Sequence, residues 1–207
     1  LILSNVRIDG KPSGLADAGS YFHSDYSYLQ VPARATMLYS IEVPRVGGNT
    51  LFANQYAAYD DLPAATKQRL EPLVAIHHYG NRHDQDEQSR TAASLLSAEQ
   101  KAKMPVITHK IARPHPVTGR KALYAVSGSS FGIVGMPDDE ARALLDELAA
   151  HATQAKYQLR FKYGVGDIVI WDNRFALHAA TPLETDQYRR DMRRATINES
   201  GEEIDAY

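Results

Sequence analysis

Punctuation constrains this sequence more than any other feature. Its apolar runs are short, and the 207 residues include 13 Gly and 10 Pro that interrupt them. No run approaches the ~18–20 residues that a membrane span requires. Met37–Val43 has the residue types of a strand and stops at Pro44 and the Gly47-Gly48 turn. Thr50–Ala53 follows as a second short strand, Asn54 can cap a helix running to Asp60, and Pro63 opens another. Tyr157, Leu159, Phe161 and Tyr163 alternate with polar residues, the pattern of a half-buried strand. Gly164–Asp167 turns the chain, and Ile168–Trp171 and Phe175–Ala179 read as a pair of strands joined at Asp172-Asn173-Arg174. One long helix stands out. After the acidic start Pro137–Glu140, residues Ala141, Leu144, Leu145, Leu148 and Ala152 return at helical spacing and define one apolar face. Many short strands with few helices predict a mainly β fold, a sandwich or barrel with helical additions.

Composition narrows the classes further. Hydrophobic residues make up 43% and charged residues 23%, a globular balance that argues against wholesale disorder. The 23 basic and 25 acidic residues leave a formal charge of -2, so no long-range attraction to nucleic acid or an anionic membrane is expected. The lack of cysteine excludes disulfides, thiolate metal sites and cysteine nucleophiles, and fits a reducing, cytoplasmic setting. No repeat or linker divides the chain, so a single domain over 1–207 is expected. The first residue is Leu1, and Leu1–Ile8 already reads as structured chain, which suggests a domain without its N-terminal part. Residues 77–104 are polar and aperiodic at first, and read either as a solvated loop or as a lid over a site.

His23-Ser24-Asp25 places two metal-competent side chains two residues apart, on one face if the backbone is extended. His178, at the end of an apolar run, is the best third ligand. Two imidazoles and a carboxylate leave open positions on an octahedral ion, the arrangement of non-heme Fe(II) oxygenases. The tripeptide alone is weak: 8 His and 15 Asp in this length give roughly 0.6 such pairs by chance. An ordinary hydrogen-bonded His–Asp pair is the simpler reading of it. Arg189, Arg190, Arg193 and Arg194 shift that balance. On a strand, Arg190 and Arg194 share one face and Arg189 and Arg193 the other. A buried arginine demands an anion, and its fork matches a carboxylate. A solvated basic patch is the alternative.

Taken together, Tyr21–Asp25, Val43–Ala53, Tyr56–Pro63, His115–Tyr124, Gly166–Arg174, His178 and Arg189–Thr196 resemble, in order, the motifs of the taurine dioxygenase / 2,4-dichlorophenoxyacetate dioxygenase (TauD/TfdA) family. The resemblance spans nearly the whole chain. It implies a double-stranded β-helix (jelly-roll) core and an Fe(II)- and 2-oxoglutarate-dependent dioxygenase (EC 1.14.11.-) that consumes O2 and releases succinate and CO2. It assigns iron to His23, Asp25 and His178, and the distal carboxylate of 2-oxoglutarate to Arg190 and Thr50. Arg194 then faces a small anionic organic substrate, an aryloxyalkanoate, sulfonate or similar. Tyr26, beside the metal motif, reads as a further substrate contact, and His115, beside Pro116, as either a substrate contact or a structural histidine. Taurine itself fits less well, because the position where taurine enzymes carry an amide side chain is Gly19. A homo-oligomer stays open. Trp171 is either core packing or pocket lining, and His77, His78 and His83 lack a recognised ligand spacing. The competing class is a non-catalytic jelly-roll protein that binds a metal or small anion. A zinc hydrolase has little support, since no His-Glu-x-x-His occurs.

Overall fold

Two antiparallel sheets face each other across an apolar layer and form the jelly-roll core. The computed structural model describes residues 1–16, 19–79, 97, 99 and 103–199. In chain order the strands are β1 (Ile2–Ser4), β2 (Arg7–Ile8), β3 (Lys11–Pro12), β4 (Ala35–Glu42), β5 (Thr50–Asn54), β6 (Val74–His77) and β7 (Ile107–Lys110). They continue as β8 (Ala112–Pro114), β9 (Lys121–Leu123), β10 (Ser130–Ile133), β11 (Gln158–Phe161), β12 (Ile168–Asp172), β13 (Ala176–Ala180) and β14 (Asp191–Ile197). The helices are α1 (Gln55–Asp60), α2 (Ala64–Leu70) and α3 (Asp138–Ala152).

The larger sheet runs β1-β14-β4-β12 and the facing sheet runs β11-β5-β13, while β10-β6-β7 forms a third. Leu38, Trp171 and Met192 from the first sheet meet Ala176, Phe52 and Phe161 from the second, joined by Leu3, Val43, Tyr163 and Val169. Strand alternation decides which residues enter this layer. Thr36, Leu38 and Ser40 of β4 are buried, and Arg194 lies opposite Leu38 across the β4–β14 pair. Tyr39, between them, points outward. In the second sheet His178 pairs with Phe52, whereas Leu177 and Ala53 pair on the opposite face and join the larger core beneath the helices.

The helices behave as their sequences predict. Asn54 Oδ1 accepts hydrogen bonds from the N–H groups of Tyr56 and Ala57, capping α1. The buried residues of α3 are Ala141, Leu144, Leu145, Leu148 and Ala152, the five predicted from spacing. Its first turn carries Asp138, Asp139 and Glu140, where negative charge complements the helix dipole.

Two strand expectations change. Ile168–Asp172 and Ala176–Ala180 are both strands, yet they do not pair with each other: β12 pairs with β4 and β13 with β5. The chain crosses from one sheet to the other at Asn173–Phe175, as a jelly roll requires. The alternation at 157–163 also yields less strand than expected. Tyr157 and Tyr163 are buried but lie outside β11, and Leu159 is 62% exposed because β11 is the outer strand of its sheet. Most of the candidate lid at 77–104, including residues 80–96, lies outside the described residues.

Candidate metal centre and its cavity

His23 is not part of a regular strand. It forms a single antiparallel bridge with His178, its N–H donating to the His178 carbonyl at 3.0 Å and its own carbonyl accepting the His178 N–H at 2.9 Å. This reciprocal pair brings the two imidazoles to 4.2 Å between centroids. The chain then turns at Asp25, and Tyr26 takes a left-handed conformation with φ 55°. Asp25 thus reaches the histidines through a turn rather than by the i, i+2 alternation of a strand. Glycines make room for the His23 side chain on two sides. A Cβ on Gly19 would lie 2.9 Å from His23 Cε1, and one on Gly128 would lie 2.9 Å from His23 Cβ, and both glycines have positive φ.

The result is a compact donor set. Ligand atoms of His23, Asp25 and His178 all lie within 4.8 Å of one another, and no other group of three such residues occurs among the described residues. Each imidazole Nε2 stands 3.6 Å from a different oxygen of Asp25, too far for a hydrogen bond. His23 Nδ1 lies 2.8 Å from the Tyr21 carbonyl, so a proton there leaves the Nε2 lone pair facing Asp25. Burial, the cationic form of His23 and Arg194 lower the His178 pKa to about 3, against the opposing pull of Asp25, so its ring is neutral at pH 7. Burial by itself would raise the Asp25 pKa, but Arg194 and the two histidines outweigh it and hold the carboxyl well below the usual range. A charged Asp25 carboxylate and a neutral His178 imidazole are the protonation states a divalent metal needs. The donor set therefore fits a metal.

These residues line a cavity of about 180 Å³ that also takes in Thr50, Arg190, Arg194, Tyr26, Trp171 and Tyr79. Arg190 is buried, whereas Arg189 is mostly exposed and pairs with Glu42 at 3.2 Å. Alternation grouped Arg190 with Arg194 and Arg189 with Arg193, and the structure turns the first pair toward the cavity. Thr50 Oγ1 and the Tyr163 hydroxyl lie 2.9 Å apart. Tyr163 is raised above its ordinary pKa by burial, against the lowering effects of Thr50 and Arg190. Arg194 meets Asp25 Oδ1 at 2.8 Å through Nη2, and its guanidinium carbon lies 5.6 Å from the centre of the Tyr26 ring. Tyr28 lies 5.8 Å from Tyr26 and 4.3 Å from Tyr79, ring centre to ring centre. Trp171 is both core and lining: it sits in the inter-sheet layer, 4.7 Å from His178.

His115 is placed elsewhere and is not among the cavity-lining residues. Its Nδ1 accepts the N–H groups of Val117 and Thr118, which puts the ring proton on Nε2, 3.1 Å from Asp172 Oδ2. Both ring nitrogens are used by the fold, so the expected substrate contact is corrected to a structural role. His77 is buried with Nδ1 2.9 Å from Ser129 Oγ, and burial lowers its pKa to about 3. His83 lies outside the described residues. Sequence reasoning missed Tyr163, Thr36 and Tyr79. Thr36 had a local signal, since it shares the inward face of β4 with Leu38.

The family model described as "Taurine catabolism dioxygenase TauD, TfdA family" matches residues 1–196. An alpha-ketoglutarate-dependent 2,4-dichlorophenoxyacetate dioxygenase of Burkholderia sp. (strain RASC) is 40% identical over 204 residues, covering 94% of this chain and 65% of the relative. A Schizosaccharomyces pombe protein described as a "Putative alpha-ketoglutarate-dependent sulfonate dioxygenase" is 34% identical, covering 86% of this chain and 44% of that protein. The crystal structure of AAD-2 in complex with Mn(II) and N-oxalylglycine superposes with a TM-score of 0.75 at 34% identity, covering 87% of this chain and 69% of that one. The chain thus spans about two thirds of the length of the Burkholderia enzyme.

Proposed function

The chain belongs to the TauD/TfdA family, and on that premise we propose that it is an Fe(II)- and 2-oxoglutarate-dependent dioxygenase (EC 1.14.11.-) acting on a small anionic organic substrate. The observation that carries the proposal is the convergence of two imidazoles and one carboxylate on a cavity that also contains two inward-facing arginines. His23, Asp25 and His178 would hold the metal, with no proton to displace from Asp25 or His178 at neutral pH. Arg190 and Thr50 would bind the distal carboxylate of 2-oxoglutarate, a charge-assisted fork beside a hydroxyl donor. With O2, the bound iron and co-substrate would supply the oxidising chemistry that hydroxylates a substrate C–H bond and yields succinate and CO2. Trp171 and Phe52 form an apolar wall beside His178 and keep water from that side.

Arg194 would anchor the substrate's anionic group. Tyr26, Tyr28 and Tyr79 form an adjoining aromatic surface suited to an aryl ring, which supports an aryloxyalkanoate more than a short aliphatic sulfonate. Gly19 points the same way. It offers no amide for a taurine-like amine, and a side chain there would press on His23. In this reading residues 1–207 form one oxygenase domain.

Anaerobic Fe(II) and 2-oxoglutarate should produce a weak visible charge-transfer band, and O2 should convert it to succinate, faster with an aryloxyacid than with taurine. A protein that binds metal or anion but gives neither band nor succinate would be the non-catalytic jelly-roll binder instead.

A further inference from the structure

Asp25 is held from two sides, and one of them leads away from the cavity. Its Oδ1 meets Arg194 at 2.8 Å, and its Oδ2 accepts the Thr36 hydroxyl at 2.6 Å. Thr36 is fully buried on β4. A hydroxyl has one proton to give. Thr36 gives it to Asp25, and its oxygen accepts Asn173 Nδ2 at 2.9 Å. The amide orientation follows from the chemistry. If Asn173 turned its oxygen toward Thr36, the hydroxyl would have to choose between two acceptors, and Asp25 or Asn173 would lose its donor.

Asn173 is fixed in turn. Its N–H donates to the Arg34 carbonyl at 3.0 Å, and its carbonyl accepts Ser24 Oγ at 2.7 Å. Ser24 sits between His23 and Asp25 in the chain. The path Ser24–Asn173–Thr36–Asp25 therefore closes on itself. It ties the turn bearing two of the three donors to β4 and to the crossing between β12 and β13, the strand that carries His178. Every member is buried, and a hydrogen bond in such surroundings resists rearrangement more than one in water.

We propose that Thr36 and Asn173 are positioning residues for the metal site, acting through Asp25 and not touching the metal or substrate. The inference rests on Asp25 being a ligand, as read above. Fixing the carboxylate plane before the metal arrives lowers the ordering cost of binding, and partners of this kind typically contribute about 10–100-fold in metal affinity.

The test is Mn(II) titration of the metal-free protein, with free Mn(II) read by electron paramagnetic resonance, alongside chemical unfolding of each variant without metal. Thr36→Val should weaken Mn(II) binding about 10–100-fold, Thr36→Ser should retain it to within about threefold, and Asn173→Ala should weaken it by about five- to tenfold. A folded Thr36→Val that binds Mn(II) like the wild type overturns the proposal. If that variant fails to fold, unchanged affinity in Asn173→Ala overturns it equally. Wild-type protein that takes up no Mn(II) would instead remove the metal reading, and this inference with it.

Discussion

Two carboxylates, one buried and one half-buried, each beside an arginine and histidine, end in opposite conditions in this molecule. Asp172 is closed. Arg174 grips it through Nε and Nη2, the Arg174 N–H donates to Oδ1, and His115 Nε2 reaches Oδ2 at 3.1 Å. The other end of Arg174 pairs with Glu199 at 2.9 Å. Asp25 has its own arginine and a hydroxyl, but its two histidines stop at 3.6 Å. The difference lies in spacing, not residue type. Where the groups touch, they satisfy each other and stabilise the crossing between sheets. Where the donor atoms are held just out of reach, their lone pairs stay available to a cation. A cluster of charged residues indicates a site only when the fold prevents it from closing.

This contrast can be broken experimentally. The largest effect is expected from His178→Ala, which should abolish metal retention and 2-oxoglutarate consumption while leaving unfolding stability nearly intact; normal turnover would refute the ligand assignment. Asp172→Ala should do the reverse. It leaves the buried Arg174 with Glu199 as its remaining carboxylate, so stability should fall by about 1–3 kcal/mol in denaturant titration, with Mn(II) affinity retained. Loss of metal binding in folded Asp172→Ala would show that the two clusters are one unit.

A smaller effect concerns pH. The pKa values of His178 and His77 are lowered to about 3 and that of His109 to about 4, each chiefly by burial. As pH falls below the ordinary histidine value of about 6.5, the unfolded chain takes up protons that the folded chain refuses. Stability of the metal-free protein should therefore decline from about pH 6.5 down toward the folded values, by at most about 1.4 kcal/mol per pH unit for each histidine. His178→Gln should flatten that slope by about a third. An unchanged slope would mean that His178 is not held neutral by the fold.

Some of this was readable before folding. The apolar face of α3 follows from helical spacing, and all five of its residues are buried as expected. The Asn54 cap and the Gly164–Asp167 turn are equally local, and the turn closes through the Asp167 side chain on the Gly164 N–H. Arg190 and Arg194 were assigned to one face by alternation. His115 stayed open between a substrate contact and a structural histidine, because a histidine beside a proline carries no local sign of what will face it. The partner proved to be Asp172, 57 residues away. The β12–β13 hairpin misled for a related reason: two adjacent strands and a short connection look the same whether the chain turns back within a sheet or crosses to the next.

The residue sequence by itself determined the donor types, the helix faces, the turns and the sharing of one face by Arg190 and Arg194, because each depends on neighbours within a few positions. Only the tertiary structure decided which carboxylate closes and which stays open. That outcome rests on differences of about an ångström or less in the separations of groups brought together from β4, β13, β14 and the His23 turn, and no local pattern encodes such differences.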